Sequence, residues 1–402
     1  MMFIFYIFAA VLIYLSYKSL RGGIAYLEYF KRELAAPKSE FTPFCSIIAP
    51  CRGLDDDLQE NLSALFRQNF PAYEVIFVVD SATDEAVKII EKVSGEKSKL
   101  FKSKIIVAGR AIDSAQKVHN LREAILHISD NSKVLVFVDS DARPARDWLR
   151  DLIAPLEDEK IGAATGYRWF MSKKISFASE LRNVWNASIA SALGANPKNN
   201  FAWGGSTAIR RETFENLQIR KKWQGVLSDD FAVTRAMKAA NLPIYFVPQA
   251  LTASVENCNL RELFEFTTRQ MKITRVYAPN LWMQAFIGAF LFNLVIIRAV
   301  LLLIFGSMNE YSFWFAFLTL LLVSAFSIGK SRLRLKAVKL VLKDYENDLK
   351  RQFWTQTTLW ILSPALFFYN CLCALISRKI VWRGIKYQLD SPEKTSIIST
   401  EN

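Results

Sequence analysis

Lys133-Val-Leu-Val-Phe-Val138-Asp139-Ser140-Asp141 reads as a buried strand that ends in a pair of carboxylates. Residues two apart on a strand project to the same face, so Asp139 and Asp141 aim at one spot. That spot lies at the carboxyl end of a strand, where open α/β sheets bind ligands. Hard cations such as Mg2+ or Mn2+ take oxygen ligands of this kind and bridge them to phosphates. The pattern points to a metal–diphosphate site. The same residues, followed by Arg143-Pro144, also suit an ordinary turn with a helix cap, and the rest of the chain has to decide between the two.

Around this strand, residues 44–250 alternate strands and helices in the cadence of an α/β domain. Phe44–Ala49 is a short apolar run ending at Pro50, and Asp55–Asn69 carries Leu58, Leu62, Leu65 and Phe66 at helical spacing. A strand Glu74–Val79, a helix Glu85–Val93, a strand Lys104–Val107 and a helix Ser114–Ile128 precede the strand that ends at Asp139. A helix Ala145–Leu156 follows it.

The flanks of this domain are apolar. The chain has 402 residues, 51% of them hydrophobic, more than a soluble enzyme needs. Met2 to Tyr17 is an almost unbroken apolar run, followed by Lys18, Arg21, Lys31 and Arg32. That arrangement predicts an uncleaved anchor with the following residues in the cytoplasm. Leu281–Gly306, Ser312–Gly329 and Phe353–Ile376 are each near the roughly 20 residues needed to cross hydrocarbon. The net charge of +13 is mostly juxtamembrane and suits anionic lipid headgroups, not nucleic acid. Five cysteines in no metal-ligand spacing and only two histidines exclude a disulfide framework and a histidine-based triad.

Further candidate groups lie in the loops. Asp80 follows a strand and is placed to accept hydrogen bonds from a uracil or ribose edge, whereas Asp84 reads as a helix cap. Lys117 stands near a helix N-terminus, which itself favours anions, so it suits a diphosphate as well as plain solvent. Trp203-Gly204-Gly205 allows close backbone approach to a ligand. Asp229-Asp230 opens a helix; such a pair usually caps, yet a carboxylate there is also a natural general base. Arg269 and Lys272 lie just before the membrane run and suit a leaving diphosphate or phospholipid headgroups. Phe177, Leu181, Trp185 and Ile189 form a helical stripe, read first as core and second as a lipid-facing wall.

In this order the pieces resemble family 2-type glycosyltransferases of the GT-A fold, and more narrowly the ceramide glucosyltransferases of glycosyltransferase family 21. Asp80 matches the family's first Asp, Asp139 and Asp141 its metal motif, and Asp230 the Asp of its acidic pair. Ser46–Pro50 and Asn69–Val75 are similar to its first strand and its approach to the second, and Gln116-Lys117-Val-His-Asn120-Leu121 is similar to its Pro-Lys-Ile-Asn-Asn-Leu stretch. Trp382-Arg383-Gly-Ile-Lys386-Tyr387-Gln-Leu389 resembles its terminal element. The Arg-Trp box departs from the pattern: Lys272 stands for the usual Arg and Ile273 for the usual Trp.

The resemblance implies a Rossmann-like GT-A nucleotide-sugar domain over residues 44–280. It is preceded by an anchor (1–18) and a linker (19–43), and followed by about three transmembrane helices (281–377) and a basic, polar tail (378–402). It further implies transfer of a hexose, expected to be glucose, from a UDP-sugar to the hydroxyl of a ceramide-like membrane lipid, with inversion. Asp230 would be the base. Asp80, Asp139, Lys117, Arg269 and Lys272 would bind the nucleotide sugar, and Asp141 with Asp139 would hold Mg2+ or Mn2+. Other lipid acceptors (hopanoid, diacylglycerol, polyprenyl phosphate), a polysaccharide synthase and a lipid-binding or transport protein are the competing readings. An N-out anchor with three further spans would leave Arg378 and Arg383 outside, against the positive-inside trend.

Overall fold

The computed structural model describes residues 2–97 and 102–400. The chain divides into a sheet unit, Glu33–Lys173, Ala192–Asn257 and Arg378–Asn402, and a helical unit, Met1–Arg32, Lys174–Ser191 and Cys258–Ser377.

The sheet unit is built on seven strands: β1 Cys45–Pro50, β2 Tyr73–Val79, β3 Lys102–Val107, β4 Val134–Val138, β5 Ala163–Met171, β6 Ser206–Arg210 and β7 Ile244–Val255. Their order is β3-β2-β1-β4-β6-β5-β7. β1, β2, β3 and β4 run parallel, whereas β6 is antiparallel to both β4 and β5. This is the α/β fold expected from the alternating pattern. The central strands are mostly apolar because helices cover both faces of a parallel sheet; every residue of β2 and of β4 is buried, Glu74 included, to which Ser46 donates a hydrogen bond.

Strand order and register together position the site. β1 has β2 on one side and β4 on the other, so the chain reverses its direction of winding there and opens a crevice at the carboxyl ends of β1 and β4. Val138 of β4 pairs with Ser206 of β6, which sets the Trp203-Gly204-Gly205 turn directly beside Asp139.

The last part of the sheet unit is a second sheet, β8 Lys379–Trp382, β9 Ile385–Ser391 and β10 Lys394–Thr400, arranged as an antiparallel meander. The polar character of residues 378–402 masks an alternation: Ile385, Tyr387 and Leu389 are buried while their neighbours face outward. Arg383 and Gly384 make the two-residue turn between β8 and β9, with φ of 51° and 72°. Positive φ at both central positions is the turn that matches strand twist in a tight hairpin.

In the helical unit the first helix does not stop at residue 18 but runs from Met2 to Ala35. Gly22 and Gly23 fail to break it, since Tyr26, Leu27 and Phe30 continue a buried stripe; Pro37 bars its extension. Phe5, Ala9 and Leu12 pack against Val295, Ala299, Ala316 and Val323, with the alanines permitting close helix approach. A second core gathers Leu181 and Trp185 with Leu263, Met271, Trp282 and Leu366. Trp185 stacks on Phe367 at 4.9 Å, so the stripe on the helix Phe177–Ala190 serves the core. Phe177, 54% exposed, points away from it.

Among the described residues, three helices are long and apolar enough to cross a membrane: Met2–Ala35, Pro279–Phe305 and Tyr311–Val341. The third run expected near the C-terminus is instead a pair, Lys343–Ile361 and Ser363–Ile376, bent by 58°. Pro364 lies in the first turn of the second member, where a proline is tolerated.

Candidate active site

The crevice at the carboxyl ends of β1 and β4 collects the charged side chains. Lys117, in the first turn of the helix Gln116–Ala124, places its Nζ 2.7 Å from Asp139 Oδ1 and 3.2 Å from Asp229 Oδ1. Arg168, the one charged residue of β5, reaches Asp141 Oδ2 at 3.0 Å and Asp139 Oδ2 at 3.5 Å. Its guanidinium also lies over the Trp203 ring, 4.8 Å from the centroid. Three carboxylates and two cations thus form one network.

The network perturbs its members. Burial raises Asp139, but Lys117 and Arg168 outweigh it and hold that carboxyl below the usual range. Asp141 is pushed up to about 6, first by burial and then, against Arg168, by the charge of Asp139. Burial likewise pushes Asp229 up to about 6, with Lys117 opposing and Asp230 adding. Lys117 remains a cation: burial works against its charge, and Asp139, Asp229 and Asp230 more than restore it.

Backbone packs tightly around this network. A Cβ on Gly204 would collide with the Asp229 carboxylate and stand 2.9 Å from Lys117 Nζ. One on Gly205 would meet the Trp203 ring and stand 2.8 Å from Asp139 Oδ2. Only glycine fits at either position.

Asp141 Oδ1 is buried and has no hydrogen-bond partner among the described residues. An orphaned buried carboxylate oxygen is costly, and a hard divalent cation is the group that would satisfy it. Among the described residues no three His, Cys, Asp or Glu side chains are grouped to hold a metal ion. That fits a small hard cation, which is usually bound by one or two carboxylates together with substrate phosphates and water. The donor set at Asp139 and Asp141 therefore fits Mg2+ or Mn2+.

The remaining expected residues fall in three places. Asp80 follows β2, and the parallel register of β1 and β2 sets it beside Arg52, 3.5 Å away. Asp84 caps the helix Glu85–Lys97 through the Ala86 N–H, and it also accepts the Gly53 N–H at 2.9 Å. Asp230 sits in the first turn of the helix Asp229–Ala239, where its Oδ1 accepts from Ser228 Oγ and from the Phe231 N–H. Asp229 and Asp230 both line a small recess with Gly204, Thr207, Trp223 and Val233. Arg269 and Lys272 belong to the helical unit, on the helix Leu260–Tyr277, which opens with a capping box between Asn259 and Glu262. Arg269 lies over Phe266, and burial lowers the pKa of Lys272.

Three participants take places here that the sequence does not assign them. Arg168 carried a signal, a lone charge in an otherwise apolar strand. Asp229 is adjacent to Asp230, and nothing local separates a cap from a partner of Lys117. Arg383 ion-pairs with Asp55, a partner 328 positions away.

Residues 4–395 match the family model described as glycosyl transferase family 21. Among curated proteins, ceramide glucosyltransferase 3 of Caenorhabditis elegans is 28% identical over 106 residues, 25% of this chain and 22% of that protein. Ceramide glucosyltransferase 1 of the same organism is 29% identical over 82 residues, 20% of this chain and 17% of that protein. The matched segment thus spans about a fifth of each relative's length. Among solved structures, the mannosyltransferase PcManGT from Pyrobaculum calidifontis, in complex with GDP-Man and Mn2+, is 19% identical with a TM-score of 0.44, covering 90% of this chain and 99% of that one. GalNAc-T7 with UDP, GalNAc and Mn2+ is 15% identical with a TM-score of 0.41, covering 55% of this chain and 45% of that one.

Proposed function

The chain belongs to glycosyl transferase family 21, and from that premise we propose that it is a metal-dependent, inverting hexosyltransferase. The donor is a UDP-sugar, read as UDP-glucose, and the acceptor is the hydroxyl of a ceramide-like membrane lipid. One observation carries the reading: Lys117 and Arg168 tie Asp139, Asp141 and Asp229 together at the crevice where the sheet reverses its winding, with Asp141 Oδ1 left unsatisfied.

Asp80, steadied by Arg52, receives the uridine. Asp139 and Asp141 would hold the divalent cation, which when bound offsets the charge that builds on the departing diphosphate. Lys117 adds fixed positive charge at the same place, preorganised by its two carboxylate partners. Asp230 removes the proton from the lipid hydroxyl as that oxygen attacks the anomeric carbon. Its Oδ1 is fixed by Ser228 and the Phe231 N–H, which orients the second oxygen. A single displacement from the far face inverts the anomeric centre.

The sheet unit lies on one side of the membrane, the cytoplasmic side by the Lys and Arg that follow the first apolar run. Residues 378–402 return to that unit after the apolar helices. An even number of crossings must therefore separate residue 278 from residue 378. Pro279–Phe305 and Tyr311–Val341 supply two, so the bent pair after them enters and leaves by one face. Its second member, Ser363–Ile376, has 14 residues; at 1.5 Å per residue it is about 21 Å long, short of the roughly 30 Å hydrocarbon core. This topology puts Arg378 and Arg383 inside and removes the charge conflict. Cysteines introduced by Lys198→Cys and Ser399→Cys are expected to react with an impermeant maleimide from the same side, and one introduced by Asn309→Cys from the other. Labelling of Ser399→Cys together with Asn309→Cys would make the bent pair a crossing.

The proposed activity is tested by incubating the detergent-purified protein with UDP-sugars and a panel of ceramide, diacylglycerol, hopanoid and polyprenyl phosphate, then weighing the lipids by mass spectrometry. A hexose added to ceramide is expected. A different glycosylated lipid would reassign the acceptor, and no product with release of no UDP would favour a lipid-binding protein.

A further inference from the structure

The C-terminal meander contacts the loop after β1 and the helices that begin at Gln116 and Asp229. Arg383, at the first turn, ion-pairs with Asp55 and donates from Nη1 to the Arg52 carbonyl at 2.9 Å. Asp55 in turn accepts a hydrogen bond from Ser140 Oγ at 2.5 Å, and Ser140 is the middle residue of Asp139-Ser140-Asp141. The charge of Arg383 also acts on Asp139 and Asp141 themselves. On β9, Tyr387 Oη accepts the backbone N–H of Gln116 at 3.2 Å. Gln116 begins the helix that carries Lys117, and Ala115 before it offers no side-chain cap. Tyr387 satisfies a donor that the helix cannot satisfy itself. A third contact, Glu393 to Arg235 at 2.8 Å, reaches the helix that starts with Asp229 and Asp230.

The turn itself is unusual. Its first central position has positive φ, where Gly, Asn or Asp is normally found because other side chains are strained there. An arginine at that position holds a guanidinium at the tip of the hairpin, against the loop after β1, whose Asp55 in turn holds Ser140 in the loop after β4. Residues strained in this way persist where the surroundings use them.

We propose that the C-terminal sheet is a working part of the donor site, with Arg383 a positioning residue that fixes Asp55 and, through it, the Asp139-Ser140-Asp141 loop. The inference rests on the reading of that loop as a metal–diphosphate site. Arg383 itself touches the supporting carboxylate and not the reacting atoms. Without it, Asp55 would lose its counter-charge, Ser140 would lose a fixed acceptor, and the two flanking carboxylates would sample orientations unsuited to a cation. Partners that orient metal-binding residues in this manner typically matter by about 10–100-fold in metal affinity.

The test uses the full-length protein in detergent and measures UDP binding by calorimetry at a series of Mn2+ concentrations, with donor and acceptor KM measured alongside. Arg383→Ala is expected to raise the Mn2+ requirement and the donor KM by about 10–100-fold, with the acceptor KM unchanged. Arg383→Lys keeps the charge toward Asp55 and is expected to recover part of the loss. Glu393→Gln, which loosens the same sheet away from the phosphate loops, is expected to leave the Mn2+ requirement unchanged. Equal Mn2+-dependent UDP binding by Arg383→Ala and the unaltered protein would overturn the positioning role alone. Equal losses from Arg383→Ala and Glu393→Gln would reduce the sheet to a general prop, which also overturns it. A failure of the unaltered protein to bind UDP at any Mn2+ concentration would instead remove the donor site beneath it.

Discussion

Asp230→Asn is expected to lower kcat by about 10²–10⁴-fold, the usual worth of a positioned base, while UDP binding stays as it was. Asparagine has the same shape, and its carbonyl oxygen can still accept from Ser228 Oγ and the Phe231 N–H. It cannot take a proton from the acceptor. The helix start is kept, so a large loss of kcat with unchanged donor affinity isolates the proton transfer. Asp229→Asn provides the contrast. Asp229 is committed to Lys117 at 3.2 Å, and loss of its charge should appear in donor affinity because Lys117 would keep Asp139 as its one charged partner. Full activity in Asp230→Asn together with a pure kcat loss in Asp229→Asn would move the base by one residue.

Asp141→Asn is expected to abolish the benefit of divalent cations. Several kcal/mol of charge stabilisation come from such an ion, so even about 3 kcal/mol corresponds to a roughly 100-fold fall in turnover. The amide can still accept from Arg168, now 3.0 Å from Asp141 Oδ2, which preserves the local fold. Chelation with EDTA should reproduce the loss in the unaltered protein, and added Mn2+ should reverse it. In Asp141→Asn neither treatment should have much further effect. A rate unmoved by EDTA would dismiss the metal role of Asp141.

What the sequence reveals and conceals here depends on distance along the chain. The strand Val134–Val138 and its terminal carboxylates are legible because strand periodicity and a loop position lie within nine residues of one another. Lys117 is legible as a cation at a helix start, but not as the link between Asp139 and Asp229; that depends on how two separate helices abut the sheet. Arg168 enters the site only because β5 pairs through β6 to β4, and the reversal of β6 cannot be read from Ser206–Arg210 by itself. The C-terminal sheet is hidden by its composition. Arg378, Lys379, Lys386 and Lys394 give it the look of a solvated basic tail, while Ile385, Tyr387 and Leu389 carry the strand signal at every second position. The bend between Ile361 and Ser363 leaves a hydropathy profile that still resembles one membrane crossing.

The proposed activity requires that the carboxylates around Lys117 and Arg168 form a cation-dependent site for a nucleoside diphosphate. Calorimetric titration of UDP into the purified protein, with and without Mn2+, addresses it most directly, with Asp141→Asn as the paired sample. Tight binding that requires Mn2+ and disappears in Asp141→Asn is the predicted result. UDP binding that is equally strong without the cation, or in the variant, would contradict it.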